Sequence, residues 1–339
     1  MPVLSTISSI PLPLLITGIS GVAGYNALPY FQQRYPGQVI GIRPTQTWQL
    51  SGTGILAVDT QDRDGLFELF EVHGFRSVLN CTGNCALKSC ELDPSMARRT
   101  NVVSAENVAA AAKTFGARLV HLSSDLVYSG DGDGGYVETD PVDPVTMYGK
   151  TMAQGEEAVW ESGAEAAILR ISLPMGPSFN RHAGAIDWIQ SRFRHGRPAT
   201  LYFDEVRSCT YTDDLNRVFE LFLAGGQTGL YHAGGPRALT LYQIAQIVNR
   251  IGGYDPHLLK GCPRLDAGPM PPRAGNVSMN SDKLIAALGH QPFQPWPVGD
   301  ELFPGHRRWH HERPEEERGS LEWLSERLYR YPPPRRCVG

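Results

Sequence analysis

Short apolar runs alternate with longer amphipathic stretches along the first half of the chain. A run of Leu14, Leu15 and Ile16 ends at Thr17, and Gly18, Gly21 and Gly24 then recur at every third position. Residues 22–34 have helical periodicity, with Pro29 expected to kink or shorten the element. Residues 38–42, 55–58, 77–81, 118–122 and 167–171 read as further strands. Residues 62–73, 95–115 and 147–162 read as the helices between them. The 118–122 run is purely apolar at its centre, which predicts a strand buried on both faces. Strands alternating with helices over short loops predict an α/β fold built on a doubly wound parallel sheet.

From Pro174 the alternation loosens, as expected where a substrate lobe is inserted. Helical periodicity returns at 211–224 and 240–251, and Pro269-Met270-Pro271-Pro272-Arg273 predicts a rigid extended segment. Beyond Pro304 the chain is charged, with a helix expected over 315–330 and a Pro/Arg-rich end. His306, His310 and His311 read there as a solvated face and not a metal site. The expected division is a dinucleotide-binding domain over 1–173, with 204–235 returning to it. A smaller lobe follows over 174–203 and 236–300, and a charged C-terminal extension over 301–339.

The 339 residues are enough for such a domain with a lobe and ample core. A net charge of −4 with no basic block argues against nucleic acid or a membrane surface as partner. No apolar run reaches membrane-spanning length, and the apolar N-terminus lacks a positive flank and a small-residue cleavage site. The expected compartment is the cytoplasm. Cys81, Cys85, Cys90, Cys209, Cys262 and Cys337 lack metal-site spacing and scaffold density, and the first three read as small, soft residues lining a nucleotide site.

The glycine turn is chemically specific in this context. Glycine permits a tight turn, close backbone approach to a pyrophosphate, and helix–strand packing, while the helix N-terminus offers free N–H groups to phosphate. Arg43 stands at the end of the second strand, where an acidic residue would bond the ribose of NAD. An arginine suits the 2′-phosphate of NADP instead, with NAD the lesser alternative. Ser124 precedes the helix-borne Tyr148, and two such hydroxyls can converge on a carbonyl oxygen while the tyrosine donates a proton.

With these motifs, and with Asn80-Cys81-Thr82-Gly83, Ser123-Ser124-Asp125, Tyr136-x-Glu138-x-Asp140, Tyr148-Gly149-Lys150-Thr151 and Gly229-Leu230-Tyr231-His232-Ala233-Gly234-Gly235, the chain resembles the extended short-chain dehydrogenase/reductases. Within them it is similar to the dTDP-4-dehydrorhamnose reductases and the related regulatory β subunits of methionine adenosyltransferase. The resemblance implies a Rossmann domain with a sugar-nucleotide lobe. It implies cofactor contacts from Thr17, Gly18, Ser20, Gly21, Val22, Gly24, Arg43, Asp59, Thr60, Cys81, Thr82, Gly83, Tyr148, Ile171 and Leu173. Ser124 would orient the substrate carbonyl, Tyr148 would be the acid, and Asn101 would support a proton-relay water. Lys88, Asp125, Asp204, Arg207, Tyr211 and Arg273 would join Ser124 around the sugar nucleotide.

One position departs from the family. Its lysine, one helical turn after the tyrosine, is Met152 here. Without that cation Tyr148 is expected to titrate near the free value of about 10. Lys150 lies about 200° around the helix and is no substitute. Three functions follow in order: a keto-sugar reductase, a dinucleotide-binding regulator without turnover, and a sugar-nucleotide epimerase or dehydratase. A homodimer, or a protein partner docked on the C-terminal extension, fits any of them.

Overall fold

The computed structural model describes residues 9–181, 184–313 and 319–330. Seven strands form one sheet: β1 (Leu14–Thr17), β2 (Val39–Arg43), β3 (Ile55–Ala57), β4 (Ser77–Asn80), β5 (Arg118–Ser124), β6 (Ala166–Ile171) and β7 (Gly229–Ala233). They lie in the order β3-β2-β1-β4-β5-β6-β7, and every neighbouring pair is parallel. The order reverses between β1 and β4, which opens a crevice at the carboxyl end of the sheet.

Strand periodicity sorts the core. Leu14 and Ile16 join Phe31, Val120 and Phe219 on one face, whereas Leu15 joins Phe70, Ala109 and Leu119 on the other. The first face is covered by α1 (Val22–Arg34) and, later in the chain, by Thr212–Ala224. The second is covered by α2 (Arg63–His73), α3 (Ser104–Phe115) and α4 (Met147–Glu161). β5 is buried at every position.

Three local expectations need correction. Pro29 neither ends nor shortens α1, because it sits on the exposed side while Leu28 and Phe31 anchor the helix. The expected 95–115 helix is entered through Pro94–Arg98 and a wide π-type turn at Arg99–Val103. β7 escaped the hydrophobic pattern because Gly229-Leu230-Tyr231-His232-Ala233 is short and carries a buried histidine.

The lobe holds α5 (Ala185–Arg194), α6 (Thr212–Ala224, shared with the sheet) and α7 (Leu241–Ile251), the last closed by a Thr240–Gln243 capping box. Three short strand pairs join them: Ala199–Tyr202 with Leu259–Cys262, Val206–Ser208 with Ala238–Thr240, and Thr210–Tyr211 with Pro174–Met175. The segment beyond residue 301 is not a free appendage. Leu302, Trp309, Leu324, Leu328 and Tyr329 enter the lobe core beside Trp296, whose indole N–H donates to the Leu328 carbonyl at 3.1 Å.

The expected 315–330 helix is shorter: 314–318 lie outside the described residues, Ser320 caps Trp323, and helical turns run from Leu321 to Tyr329. The Pro/Arg-rich end and Cys337 also lie outside them. The histidine cluster is only in part a solvated face: His306 is half exposed beside Glu312, whereas His310 turns inward. His310 is 1% exposed, hydrogen-bonds Gln246 through Nδ1, and touches the Tyr242 and His311 rings. The neighbouring Trp309 carries it inward with the core.

Burial pushes the His310 imidazole down to about 4, with the charges of His311, Arg313 and His257 acting in the same direction. His121, in mid-sheet beside Asn80, is pushed to about 4 by burial. A depressed histidine stabilises the fold fully above its free value and loses that stabilisation as pH falls from about 6.5 towards 4. Urea unfolding at pH 7 and pH 5 is therefore expected to show a loss of about 2 kcal/mol per histidine. His310→Gln should flatten that slope, and an unchanged slope would contradict the assignment.

Candidate active site

The turn after β1 is built on backbone contact. Gly18 has φ +63°, and a Cβ there would lie 2.3 Å from the Cys81 carbonyl oxygen. A Cβ on Gly24 would meet the Gly18 carbonyl at 2.6 Å, so α1 packs directly on the turn. Gly21 is different: a Cβ there would meet nothing closer than 3.5 Å, and no side chain caps the N-terminus of α1. The free N–H groups of that helix therefore face open space, which is the donor set a pyrophosphate requires.

Gly18, Ser20, Gly21, Arg43, Asp59, Thr60, Thr82 and Gly83, all singled out in the sequence, share this crevice. Ile42, Pro44, Val58, Gln61, Thr100 and Ser104 also line it. The first four adjoin expected residues. Thr100 and Ser104 lie one turn apart on a helix, a spacing that carries no signal without the fold. Thr17 lies behind the wall: its hydroxyl accepts from Thr82 at 2.8 Å and donates to Asn80 at 2.6 Å. Cys81 and Gly24 contribute backbone packing, Val22 opens α1, and Ile171 ends β6. Leu173 packs with the lobe core.

At the other end of the crevice, α4 is fixed at its start twice. The Thr146 hydroxyl accepts from Gly149 N at 2.9 Å, and Glu91 accepts from Met147 N at 2.6 Å. This sets Tyr148, Thr151 and Met152 on buried positions facing β5 and the loop after β4. The Ser124 hydroxyl donates to Asp125 at 3.2 Å and accepts from Leu126 N at 3.2 Å, and it lies near enough to act on the Tyr148 phenol, so the expected pair of hydroxyls is neighbouring. Met152 is 4% exposed, and its sulfur lies 3.7 Å from where a Gly83 Cβ would be. A thioether therefore occupies the space beside Gly83.

The phenol is more basic than the missing lysine alone would make it. Burial is the main cause of its rise above the usual tyrosine range, followed by the Cys85 thiol; the Ser124 hydroxyl opposes it. The expected value near 10 is thus too low, because the sequence shows the lost cation but not the burial. Tyr148 holds its proton throughout the neutral range.

Asn101 is fully engaged. Its Nδ2 donates to Thr151 at 2.8 Å, its Oδ1 accepts from Asn84 N at 2.7 Å, and its carbonyl abuts Gly155 of α4. It braces helix against loop.

The expected substrate residues divide. Asp125 is 0% exposed and accepts from Arg207 Nε at 2.7 Å and from Ser172 at 2.5 Å. Glu205 lies 3.9 Å from Arg207 and accepts from Arg273 Nε at 2.9 Å. Arg273 also covers the Tyr202 ring at 4.5 Å. These four form a ladder of alternating charge that joins β5 to the lobe and forms the floor beneath Ser124. Asp125 and Arg207, expected around the sugar nucleotide, are engaged with each other in this structure.

Asp204 is held by Arg264, which donates from its backbone at 2.7 Å. Tyr211 is another correction: it is fully buried in the lobe core, where its hydroxyl accepts from Val298 N and donates to the Arg327 carbonyl. Lys88 lies exposed on the short helix Leu87–Leu92.

The RmlD substrate-binding domain family matches residues 13–299. The chain belongs to that family. It is 28% identical over 224 residues to a dTDP-4-dehydrorhamnose reductase of Mycolicibacterium smegmatis, covering 65% of this chain and 67% of the relative. It is 27% identical over 247 residues to the β subunit of methionine adenosyltransferase 2 of Rattus norvegicus, covering 68% and 70%. A solved dTDP-4-dehydrorhamnose reductase from Bacillus anthracis, in complex with NADP, superposes with a TM-score of 0.73 at 19% identity over 84% of this chain and 95% of that one. This RmlD-type chain therefore shares a family that includes both a sugar-nucleotide reductase and a methionine adenosyltransferase subunit.

The charge ladder yields a stability prediction. Asp125→Ala leaves a guanidinium buried without its closest anion, and urea unfolding should show a loss of about 3–5 kcal/mol. The pair Asp125→Leu with Arg207→Met should recover most of it, whereas a single variant of wild-type stability would refute the ladder.

Proposed function

We propose that this RmlD-type chain is an NADP(H)-preferring reductase of a nucleotide-linked keto-sugar. The observation that carries the reading is the meeting of the Ser124 and Tyr148 hydroxyls beside the crevice that holds Gly18, Gly21 and Gly83. A nicotinamide cofactor would supply the hydride. Gly21 and the uncapped start of α1 suit its pyrophosphate. Arg43 suits a 2′-phosphate: its Nε and Nη1 are tied to the Leu50 and Pro44 carbonyls at 2.5 and 3.1 Å. That fixes the guanidinium plane at the crevice wall and leaves Nη2 as the nitrogen free to meet an anion. NAD remains the lesser alternative.

Ser124 orients the ketone by donating to its oxygen, and Tyr148 gives a proton to that oxygen as negative charge develops there. The raised phenol pKa makes Tyr148 a weaker acid but keeps it protonated, so reduction is retained while oxidation, which needs the phenolate, is disfavoured. The dehydratase reading loses ground because Asp125, the carboxylate it would use, is occupied by Arg207.

The second reading, a nucleotide-binding regulator with no turnover, is favoured by one observation: buried Met152 next to Gly83, with Asn101 committed to Thr151 and Asn84. The ammonium is then missing from this wall, and the Asn101 side chain is spent on holding helix to loop.

A panel of nucleotide-linked 4-keto-hexoses with NADPH tests the first reading. Tyr148→Phe and Ser124→Ala should each lower kcat by about 10²–10⁴ while the Kd for NADPH changes little. Absence of NADPH consumption with every panel member, alongside tight NADPH binding, would favour the regulator.

Arg43→Asp should weaken NADPH by about 10- to 100-fold and spare NADH, measured by fluorescence titration. Met152→Lys should lower the Tyr148 pKa by about 1–3 units, read as a basic limb in the pH profile of alcohol oxidation. The parent reductase should show no loss of ketone reduction from tyrosine ionisation below about pH 10. A basic limb near neutral pH in the parent would overturn this assignment of Tyr148.

A further inference from the structure

The loop after β4 carries two thiols that the proposed chemistry does not use. Cys85 is exposed as a residue, but its thiol is turned to the side of the loop where Arg207 and Tyr148 lie, whereas Cys90 is fully buried among Tyr148, Met152 and Val127. They are close in space. The Cys90 thiol hydrogen-bonds the Asn84 carbonyl oxygen at 3.2 Å, and that carbonyl is bonded to the Cys85 nitrogen. Covalent geometry then puts the Cys90 sulfur within about 6 Å of the Cys85 Cα. The electrostatic influence of Cys85 reaches both the Cys90 thiol and the Tyr148 phenol.

The loop is braced on either side of the pair. Asn84 donates its N–H to Asn101 and its Nδ2 to the Met96 sulfur, and Glu91 caps the start of α4. Cys90 is fixed in the short helix Leu87–Leu92, while Cys85 precedes that helix.

We propose that Cys85 and Cys90 are an oxidisable dithiol pair, and that their disulfide draws the Cys85 side chain out of the cleft and reshapes the loop beside Gly83. A peroxide is the oxidant class. The Cys85 thiolate attacks one peroxide oxygen, giving the sulfenic acid and releasing water. The Cys90 sulfur then attacks the Cys85 sulfur, the S–S bond forms and the sulfenic oxygen leaves as a second water. Two thiols and one peroxide thus give one disulfide and two waters, and an added dithiol reverses the change by exchange.

Burial raises the Cys90 thiol to about 11, and burial also raises Cys85, opposed there by the Arg207 charge. The thiolate fraction is small at neutral pH, so oxidation should accelerate about tenfold per pH unit between 7 and 8.5.

The test uses the full chain treated with hydrogen peroxide, followed by blocking of free thiols, non-reducing peptide mapping and titration with NADPH. The expected product is about 2 Da lighter, with the Cys85 and Cys90 peptides linked and NADPH affinity lowered about threefold or more until dithiothreitol restores it. Cys85→Ser and Cys90→Ser should each abolish both changes, while Cys209→Ser should leave them intact. A disulfide mapped to other cysteines, no loss of mass, or a Cys85–Cys90 bond with unchanged NADPH affinity would each overturn the proposal. The mass and mapping readouts do not depend on turnover, so the pair can fail while the reductase reading stands, and the reverse.

Discussion

The Asp125–Arg207 contact is the joint on which the molecule turns. Asp125 follows the last residue of the fully buried strand β5, and Arg207 lies on a lobe strand 82 positions later. Two charges so deeply buried would each be costly alone, and together with Ser172 and Glu205 they satisfy one another. Because the pair connects sheet to lobe directly beneath Ser124, the geometry of the candidate site is inherited from it. The same commitment removes Asp125 from acid–base chemistry.

Above that floor the site is apolar where its relatives' resemblance implies a charge. Met152, Cys90 and Val127 surround the Tyr148 ring, so burial and not a nearby cation governs its acidity. A phenol in such surroundings is a persistent proton donor and a poor base. The opposite end of the crevice is polar and preorganised, with Arg43 fixed by backbone carbonyls and α1 left uncapped. A preorganised polar crevice thus leads to an apolar end around Tyr148, which is why a reductase and a nucleotide-binding regulator are the two readings in competition.

The segment after residue 301 shows how misleading charge can be. Its polar residues suggested an appendage, yet five apolar side chains spaced through it complete the lobe core. His310 follows Trp309 into that core and is held neutral there.

The sequence by itself determined six of the seven sheet strands, the glycine turn and the expectation that Ser124 and Tyr148 lie together. Each rests on local rules: strands alternate faces, glycine alone fits against a neighbouring carbonyl, and a helix presents residues at fixed angles. The absence of the family lysine was equally legible, since Met152 occupies one known helical position. Tertiary structure alone decided which charges meet. Asp125 and Arg207, Asn101 and Thr151, Tyr211 and the Arg327 carbonyl are partners far apart in the chain. No periodicity encodes such pairs, because a polar residue's role depends on what the fold leaves within hydrogen-bond reach once water is gone.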